Sequence, residues 1–448
     1  MKKFYDIHMH AFDLSHPNLS AFVLRKGLID SLLTCKTRWL LPIVAILPRL
    51  TLDKAKKYLK EHPFIKNTLA FYEIPIEYQF LLVDYFLKNP NSTDDIVVGP
   101  NNVFKVDDDE FSKIVMCPLA IDFGYSRINE EGVFYNKAPY KPIAKQVGDL
   151  FYSIKTYYRF NLVPDPNNPL KLKLEEITGK TLEDIKREKL FEIYPFMGLN
   201  TQNYSLADLK GENGKQGLLD KYFSNFIADE TAQSRRDRLF QKMGQFDGKM
   251  YEDDQRVYKD IFAGIKVYPP LGYNPYPDSS VELDKVKYLY EYCISKRIPI
   301  ISHCSDGGFE VGEDKCITDP REKWTKVLNE YPTLTLDFAH FGMRRSGATD
   351  WQNAIVELTQ KENVYSDVSC NDADEKYYKN LNLAIEKAGE HLKSKMLFGS
   401  DFSIALISSP INSYNQYLRA FVNSKSLRYK QPMSVTNPER FLFGDVLP

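Results

Sequence analysis

The chain has 448 residues, of which 43% are hydrophobic and 27% are charged, a composition that is ordinary for a soluble globular protein. Its 59 Lys and Arg residues almost balance its 60 Asp and Glu residues, which argues against a nucleic-acid-binding protein, since such proteins carry a basic excess or patch. No apolar stretch reaches the roughly 20 residues that a membrane-spanning helix needs, so we expect no membrane association.

The N-terminal stretch MKKFYDIHMHAF contains two lysines but no apolar core and no small-residue cleavage site. It therefore does not predict a signal peptide. The chain has 6 cysteines without C-x-x-C spacing, which favours neither a disulfide framework nor a zinc finger. These features together predict a reduced, cytoplasmic protein.

Three stretches before residue 123 are candidate strands. KFYDIH and KIVMCPLAID (113–122) are short and apolar, whereas WLLPIVAIL (39–47) is interrupted by Pro42, and proline removes a donor from a sheet. The Tyr- and Lys-rich segment 125–258 contains helical stretches such as TLEDIKREKLFEIY. We predict that 125–258 is a large, helical insertion between the third and fourth strands, either a cap or a separate small domain.

From residue 263 onwards, short apolar strands alternate with amphipathic helices. The predicted strands are AGIKVY, IPIISHC, TLTLDFAH, NVYSDVS and KMLFGSD. Helices are predicted between them, for example over about 350–361 and 375–391. This alternation is typical of right-handed βαβ units and a parallel sheet. Five such strands fit half or more of a (β/α)₈ barrel, with a doubly wound sheet as the alternative.

Polar side chains recur where these strands end, and in a barrel all the carboxyl ends of the strands meet at one mouth. The residues at these ends are His8, His10, Lys266, His303, His340 and Asp401. In the H-x-H pair both rings point the same way, because side chains alternate along a strand. Imidazoles with a carboxylate are typical ligands of Zn²⁺, Mn²⁺ or Fe²⁺.

Each of these residues also has an ordinary structural explanation. An H-x-H pair alone is common, a single histidine at a strand end often packs in the core, and an aspartate after Gly-Ser often caps a turn. The ordered set on successive strand ends is much harder to explain by chance. The set therefore favours a metal site over separate structural roles.

The sequence resembles the amidohydrolase superfamily, within its amidohydrolase-related branch of hydrolases and non-oxidative decarboxylases. The resemblance covers about residues 1–12 and 263–448. It rests on the motifs DIHMH, GIKVYPPLGYNP, PIISHC, LDFAHFG, VYSDVS, LFGSDFS and NPERFLFG.

The resemblance implies a single (β/α)₈ barrel over residues 1–448, with metal ligands and catalytic groups at its mouth. By this resemblance the metal ligands are His8, His10, His303 and Asp401. His340 is then a catalytic or neighbouring histidine, or the ligand of a second metal. Asp401 has a second, catalytic role as the group that accepts a proton from water.

Lys266 lies where binuclear members of the superfamily carry a carboxylated lysine that bridges two metals. We expect one metal ion instead, with Zn²⁺ favoured over Mn²⁺ or Fe²⁺, and an unmodified lysine that either faces the substrate or has a structural role. Tyr268 and Arg345 are further candidates for substrate binding, because a tyrosine and an arginine can hold an anion. Their alternative is an ordinary structural or surface role.

Three functions remain open from the sequence. The first is a metal-dependent hydrolase that uses activated water on a C–N or C–O bond of a small carboxylate-bearing substrate. The second is a non-oxidative decarboxylase with the same metal, and the third is an inactive barrel used for binding or structure. A homodimer is expected from the resemblance, although the insertion can alter the interface.

Overall fold

The computed structural model describes residues 2–13, 15–17, 74–89, 98–129, 133, 138–224, 226–245, 262–312, 317–404 and 413–447. The strand predicted at 39–47 lies outside these residues. In the described part of the chain, no helix is both long enough and apolar enough to cross a membrane.

The described part of the chain contains the following strands. They are β1 (Lys2–Met9), β2 (Phe104–Val106), β3 (Asp109–Pro118), β4 (Phe160–Asp165), β5 (Asn168–Glu176), β6 (Phe191–Ile193), β7 (Phe196–Gly198), β8 (Gly264–Val267), β9 (Ile300–Ser302), β10 (Leu336–Phe338), β11 (Val364–Asp367) and β12 (Met396–Leu397).

Helices separate most of these strands. They are α1 (Ile76–Lys88), α2 (Ile143–Arg159), α3 (Leu182–Glu188), α4 (Leu206–Lys210), α5 (Leu218–Phe223), α6 (Ala232–Lys242), α7 (Ser280–Lys296), α8 (Lys323–Glu330), α9 (Asp350–Leu358), α10 (Glu375–Ala388), α11 (Glu390–Lys393), α12 (Tyr414–Asn423) and α13 (Asn437–Phe443).

The strands are mainly parallel. Within the described residues, one sheet has the order β12-β11-β10-β9-β8-β7, and all its neighbouring strands are parallel. In the other large sheet, β3 pairs in parallel with β1 and β6 and antiparallel with β2. The strand–helix alternation predicted after residue 263 is therefore confirmed, as is the α/β class with parallel sheets.

Backbone hydrogen bonds also join the two ends of the chain. Ile7 N donates to Phe398 O (3.1 Å), Asp401 N to His8 O (2.6 Å) and His10 N to Phe402 O (3.3 Å). These bonds place the segment after β12 directly beside β1. As a result, the H-x-H pair and Asp401 face each other although almost 400 residues separate them.

The sequence predicted a helical insertion at 125–258, and the described part of this segment also contains strands. It contains α2 to α6, but it also contains the antiparallel pair β4–β5 and the strands β6 and β7. Because β6 pairs with β3 and β7 pairs with β8, residues 191–198 belong to the parallel sheets. The predicted helical stretch 181–194 is also shorter, since α3 ends at Glu188. Pro195 lies between β6 and β7. It interrupts the apolar run at residues 190–199, so this stretch does not have the continuous apolar pattern from which a buried strand is predicted.

The core lies where the strands are buried on both faces. Every residue of β8, β9, β10 and β11 is buried, as expected for parallel strands covered by helices. At the end of β7, a Cβ on Gly198 would lie 2.5 Å from Ala120 O. Glycine is therefore required at this close approach of two strand ends.

Candidate metal centre

The strands bring the predicted site residues into one buried region. His8 belongs to β1, and Lys266 to β8. His10, His303, His340 and Asp401 follow the ends of β1, β9, β10 and β12. All six residues are at most 5% exposed, so their polar atoms must find partners within the protein or bind a ligand.

The imidazoles of His8 and His10 converge on the carboxylate of Asp401. Oδ1 of Asp401 lies 3.2 Å from Nε2 of His10 and 3.6 Å from Nε2 of His8. Nevertheless, Oδ1 of Asp401 and Nε2 of His8 have no hydrogen-bond partner among the described residues. Buried polar atoms without partners are uncommon in native proteins, and three donor atoms that face one point suit a shared cation.

The other ring nitrogens of the pair are already bonded. Nδ1 of His10 lies 2.9 Å from Leu119 O, and Nδ1 of His8 lies 2.7 Å from Oδ2 of Asp367. A carbonyl or carboxylate oxygen only accepts, so each Nδ1 carries the proton and each Nε2 keeps its lone pair. A backbone carbonyl and a carboxylate are the usual partners that orient metal-binding histidines.

Burial keeps these groups uncharged. Desolvation lowers the pKa of His8 and of His10 to about 3, with the Lys266 ammonium adding to the effect. Burial also raises the pKa of Asp401 well above its ordinary value. Neutral imidazoles are the form that binds metal, and a nearby cation would favour the ionised form of the carboxylate.

The local backbone fixes Asp401 in an unusual conformation. Its φ is 50°, in the left-handed region that non-glycine residues rarely adopt. Ser400 N donates to Oδ1 of Asp6 (2.9 Å), which ties this turn to β1. A Cβ on Gly399 would lie 2.7 Å from Cβ of His8, so the glycine of the GSD sequence permits the close approach of Asp401 and His8.

His303 and His340 form a second pair beside the first. Nε2 of His340 lies 3.1 Å from Nδ1 of His303, and Nε2 of His303 lies 2.9 Å from Gly307 O. Within the described residues, the groups able to hold a metal are His8–His10–Asp401 and His8–His340–Asp367. His303 is in neither group, so its role as a ligand stays a prediction.

Two further residues, Asp367 and Ser369, connect the two pairs of histidines. Neither was among the site residues predicted from the sequence. The Ser369 hydroxyl lies 3.1 Å from Nδ1 of His8 and 2.9 Å from Nδ1 of His340, and it donates to Oδ1 of Asp367. Burial opposes ionisation of Asp367, but His8 beside it lowers its pKa well below the ordinary value. The sequence signal was available: VYSDVS has three polar residues within a buried strand end.

Lys266 is a buried cation near this centre. Its Nζ has no hydrogen-bond partner among the described residues. Burial lowers its pKa to about 8, although Asp367 and Asp401 favour the charged form. An ammonium in this position can bind an anionic group brought by a ligand.

Tyr268 and Arg345 lie in different surroundings. The Tyr268 ring stacks on His303 with centroids 4.5 Å apart, and its hydroxyl accepts from Phe309 N at 3.2 Å. The Arg345 side chain is 44% exposed and 4.0 Å from Glu310. Tyr268 is thus adjacent to the histidines, whereas Arg345 contacts the loop after β9. Their substrate-binding roles stay predictions.

The donor set fits a divalent metal. Two neutral imidazoles and one carboxylate, with two of the three facing atoms lacking partners, match the ligands that Zn²⁺ and similar ions prefer. His8, His10 and Asp401 are the residues that would hold it.

Comparisons with known proteins agree with this chemistry. The family described as Amidohydrolase matches residues 215–443, slightly more than half of the chain. No curated protein matches the sequence.

Three solved structures are similar at low identity. Amidohydrolase 2 from Bifidobacterium longum subsp. infantis is 14% identical, with 41% of this chain and 62% of that one covered and a TM-score of 0.29. A protein named as a metal-dependent hydrolase from Lactobacillus casei ATCC 334 is 10% identical (99% and 95% covered, TM-score 0.34). Dihydroorotase from Campylobacter jejuni is 14% identical (49% and 54% covered, TM-score 0.23). The chain thus spans less than two thirds of the first of these proteins. The family match carries the assignment: this chain belongs to the amidohydrolase family.

Proposed function

We propose that this protein is a metal-dependent hydrolase that adds water to a C–N or C–O bond of a small, carboxylate-bearing molecule. The observation that carries the proposal is the convergence of Nε2 of His8 and Nε2 of His10 on Oδ1 of Asp401, at 3.6 Å and 3.2 Å. The family match at residues 215–443 supports the same class of reaction.

We also propose that residues 1–448 form one closed (β/α)₈ barrel. Support comes from the pairing of β1 with β3, β3 with β6 and β7 with β8. The parallel bridge between Leu119 and Phe196 and the bonds between β1 and the segment after β12 link the two sheets. In this arrangement the parts of 125–258 outside 191–198 form the insertion.

The proposed chemistry divides between the metal and the surrounding side chains. A divalent metal supplies Lewis-acid activation of water. Asp401 takes a proton from the attacking water and returns it to the leaving group. Burial lowers the pKa of His340 to about 3 and keeps its ring neutral. To stabilise charge that develops on the substrate, the ring would have to turn its one N–H away from Nδ1 of His303, which lies 3.1 Å from its Nε2.

Lys266 is the residue that we assign to the substrate carboxylate. Its buried ammonium lacks a hydrogen-bond partner among the described residues, and a carboxylate would supply one. Tyr268, which stacks on His303, and Arg345, whose side chain is 44% exposed, are proposed to contact the substrate as well.

We propose one Zn²⁺ per chain, because a set of imidazoles and a carboxylate is the usual catalytic zinc site. Mn²⁺ and Fe²⁺ accept the same ligands. A second metal bridged by carboxylated Lys266 is the alternative.

Non-oxidative decarboxylation is the second candidate function. It is favoured by the same buried Lys266, since a substrate carboxylate held there would lie beside the proposed metal. Product analysis separates the two reactions. A panel of N-acyl amino acids, lactones and aromatic carboxylates is incubated with the metal-loaded protein in water enriched in oxygen-18.

Hydrolysis predicts heavy oxygen in the new carboxylate and no release of CO₂. Release of CO₂ without incorporation of oxygen would replace hydrolysis by decarboxylation. If the protein retains its metal but converts no member of the panel, the result would favour an inactive barrel used for binding or structure.

A further inference from the structure

The hairpin β4–β5 is the part of the segment 125–258 whose strands pair with neither parallel sheet. Within the described residues it is a separate, two-stranded antiparallel sheet. β4 continues directly from the end of α2, and its residues Phe160 and Leu162 pack against the main core. β5 is then the outer strand, and in the described part of the chain no third strand pairs with its free edge.

The outer strand is long and largely exposed. β5 has 9 residues, and its exposed charged side chains are Lys171, Lys173, Glu175 and Glu176. Leu174, at 37%, is one of the exposed large hydrophobic residues. Alternate residues of an outer strand point their backbone N–H and C=O groups away from the paired strand, so the edge can accept another strand. A hairpin of two strands alone is also only marginally stable in water.

Charged and apolar side chains alternate along β5, in the sequence KLKLEE at 171–176. Successive side chains of a strand lie on opposite faces, and Leu174 is directly opposite Leu162 of β4. The face with Leu174 is therefore the one that packs on the core, and the other face carries Lys173 and Glu175. Lysines on an edge discourage pairing with most strands, so a strand that pairs with β5 must place negative charge opposite them.

A second copy of β5 satisfies this condition in one antiparallel register. When Leu174 lies opposite Leu174 of the partner subunit, Lys173 lies opposite the partner's Glu175, and Glu175 lies opposite the partner's Lys173. The register has two-fold symmetry, so the same contact occurs twice. Moving the partner strand by two residues in one direction places Lys173 opposite its own copy, and the other direction does the same for Glu175. Both shifted registers therefore put like charges together, which destabilises a strand pair.

We infer that β5 is an interaction surface for a second copy of this chain, and that two β5 strands pair in the register centred on Leu174. The two hairpins then form one four-stranded sheet across the two-fold axis. This pairing covers Leu174, gives partners to backbone groups at both free edges and places opposite charges across the interface. The surface contains none of the proposed metal ligands, so the inference does not depend on the proposed function.

Analytical ultracentrifugation of the full chain over a range of concentrations measures the association. We expect the wild type to dimerise. Lys173→Glu and Glu175→Lys each convert both pairs of opposite charge into pairs of like charge, so each variant alone should associate about tenfold or more weakly. Lys379→Glu, at an exposed position of α10, makes the same change in net charge and is the control, which should dimerise as the wild type does.

Mixing the Lys173→Glu and Glu175→Lys variants tests the register itself. In a mixed dimer each altered side chain again lies opposite the other charge, so the two variants together should associate about as tightly as the wild type. This recovery also shows that both variants are folded. A monomeric wild type, undiminished association of both single variants, or no recovery on mixing would overturn the inference.

Discussion

Nδ1 of His8 lies 2.7 Å from Oδ2 of Asp367, and both side chains are fully buried. This bond fixes the ring so that Nε2 faces Asp401. The ability of the centre to hold a metal therefore depends on a residue outside the group His8–His10–Asp401.

Asp367→Asn tests this dependence. Asparagine keeps one acceptor oxygen but loses the negative charge and replaces the other oxygen by an NH₂ donor, which weakens the bond that orients His8, so we expect metal affinity to fall about 10- to 100-fold. Competition with a zinc chelator measures the affinity. Asp445→Asn, at an exposed position, is the matched control and should bind metal as the wild type does. Equal affinity in all three proteins would mean that Asp367 does not orient His8.

Lys266→Met should increase stability and reduce ligand binding. An unpartnered buried ammonium loses its hydration on folding, so its removal is expected to raise the free energy of unfolding by about 1–3 kcal/mol. Urea unfolding measures this change, and calorimetry with acetate, a simple carboxylate probe, measures the loss of ligand binding. Lys285→Met is the control, because that buried lysine bonds to Glu282 at 2.7 Å and its removal should give no gain. A less stable Lys266→Met protein would indicate a partner for this lysine.

Gly399→Ala should destabilise the protein by about 1–3 kcal/mol, because the added Cβ would collide with His8 in a packed region. Gly148→Ala is the comparison variant, in which the same substitution should increase stability. Gly148 lies inside α2 with no atom within 4 Å of its added Cβ, so alanine should stabilise the helix by roughly 0.5–1 kcal/mol. Thermal unfolding measures both changes. A neutral Gly399→Ala would show that His8 and Gly399 are farther apart than described.

The buried carboxyl of Asp122 is expected to make the stability of the protein depend on pH, whether or not metal is bound. Burial raises its pKa to about 6, and bonds from Gly124 N and Asn200 N oppose the shift only in part. The unfolded chain ionises near the ordinary value of 3.8, so between about pH 4 and pH 6 it binds fewer protons than the folded chain. Stability should therefore fall as pH rises through this window, by roughly 2–3 kcal/mol.

Urea unfolding of the wild type and of Asp122→Asn at several pH values checks this effect. The difference in unfolding free energy between the two proteins should change between pH 4 and pH 6 and stay constant above pH 7. A difference that does not vary with pH would show that Asp122 has an ordinary pKa in the folded protein.

The C-terminal half of the fold was predictable because its sequence is regular. Strands such as β8 and β11 are short apolar runs between amphipathic helices, and each has a polar residue at or near its end. By contrast, β6 and β7 were missed because Pro195 divides them and charged residues precede them. Pairing with β3 and β8, which are distant in sequence, determines their conformation.

The sequence predicted part of the candidate metal site, as it predicted part of the fold. The strand ends indicated His8, His10 and Asp401 as neighbours, and the structure brings these three together. Asp367 and Ser369 were not selected, since their contacts with His8 and His340 depend on the packing of neighbouring strands. The stacking of Tyr268 on His303 could not be predicted either, because the two residues follow different strands and no local sequence pattern indicates their contact. The homodimer expected from the resemblance stays a prediction.

The central claim is that His8, His10 and Asp401 hold a divalent metal, and elemental analysis of the purified, Zn²⁺-loaded protein tests it most directly. The expected content is about one metal ion per chain for the wild type and for the control His391→Ala, with a large loss in His8→Ala and Asp401→Ala. A content near two per chain would instead support a carboxylated Lys266. Undiminished metal in both His8→Ala and Asp401→Ala would contradict the account.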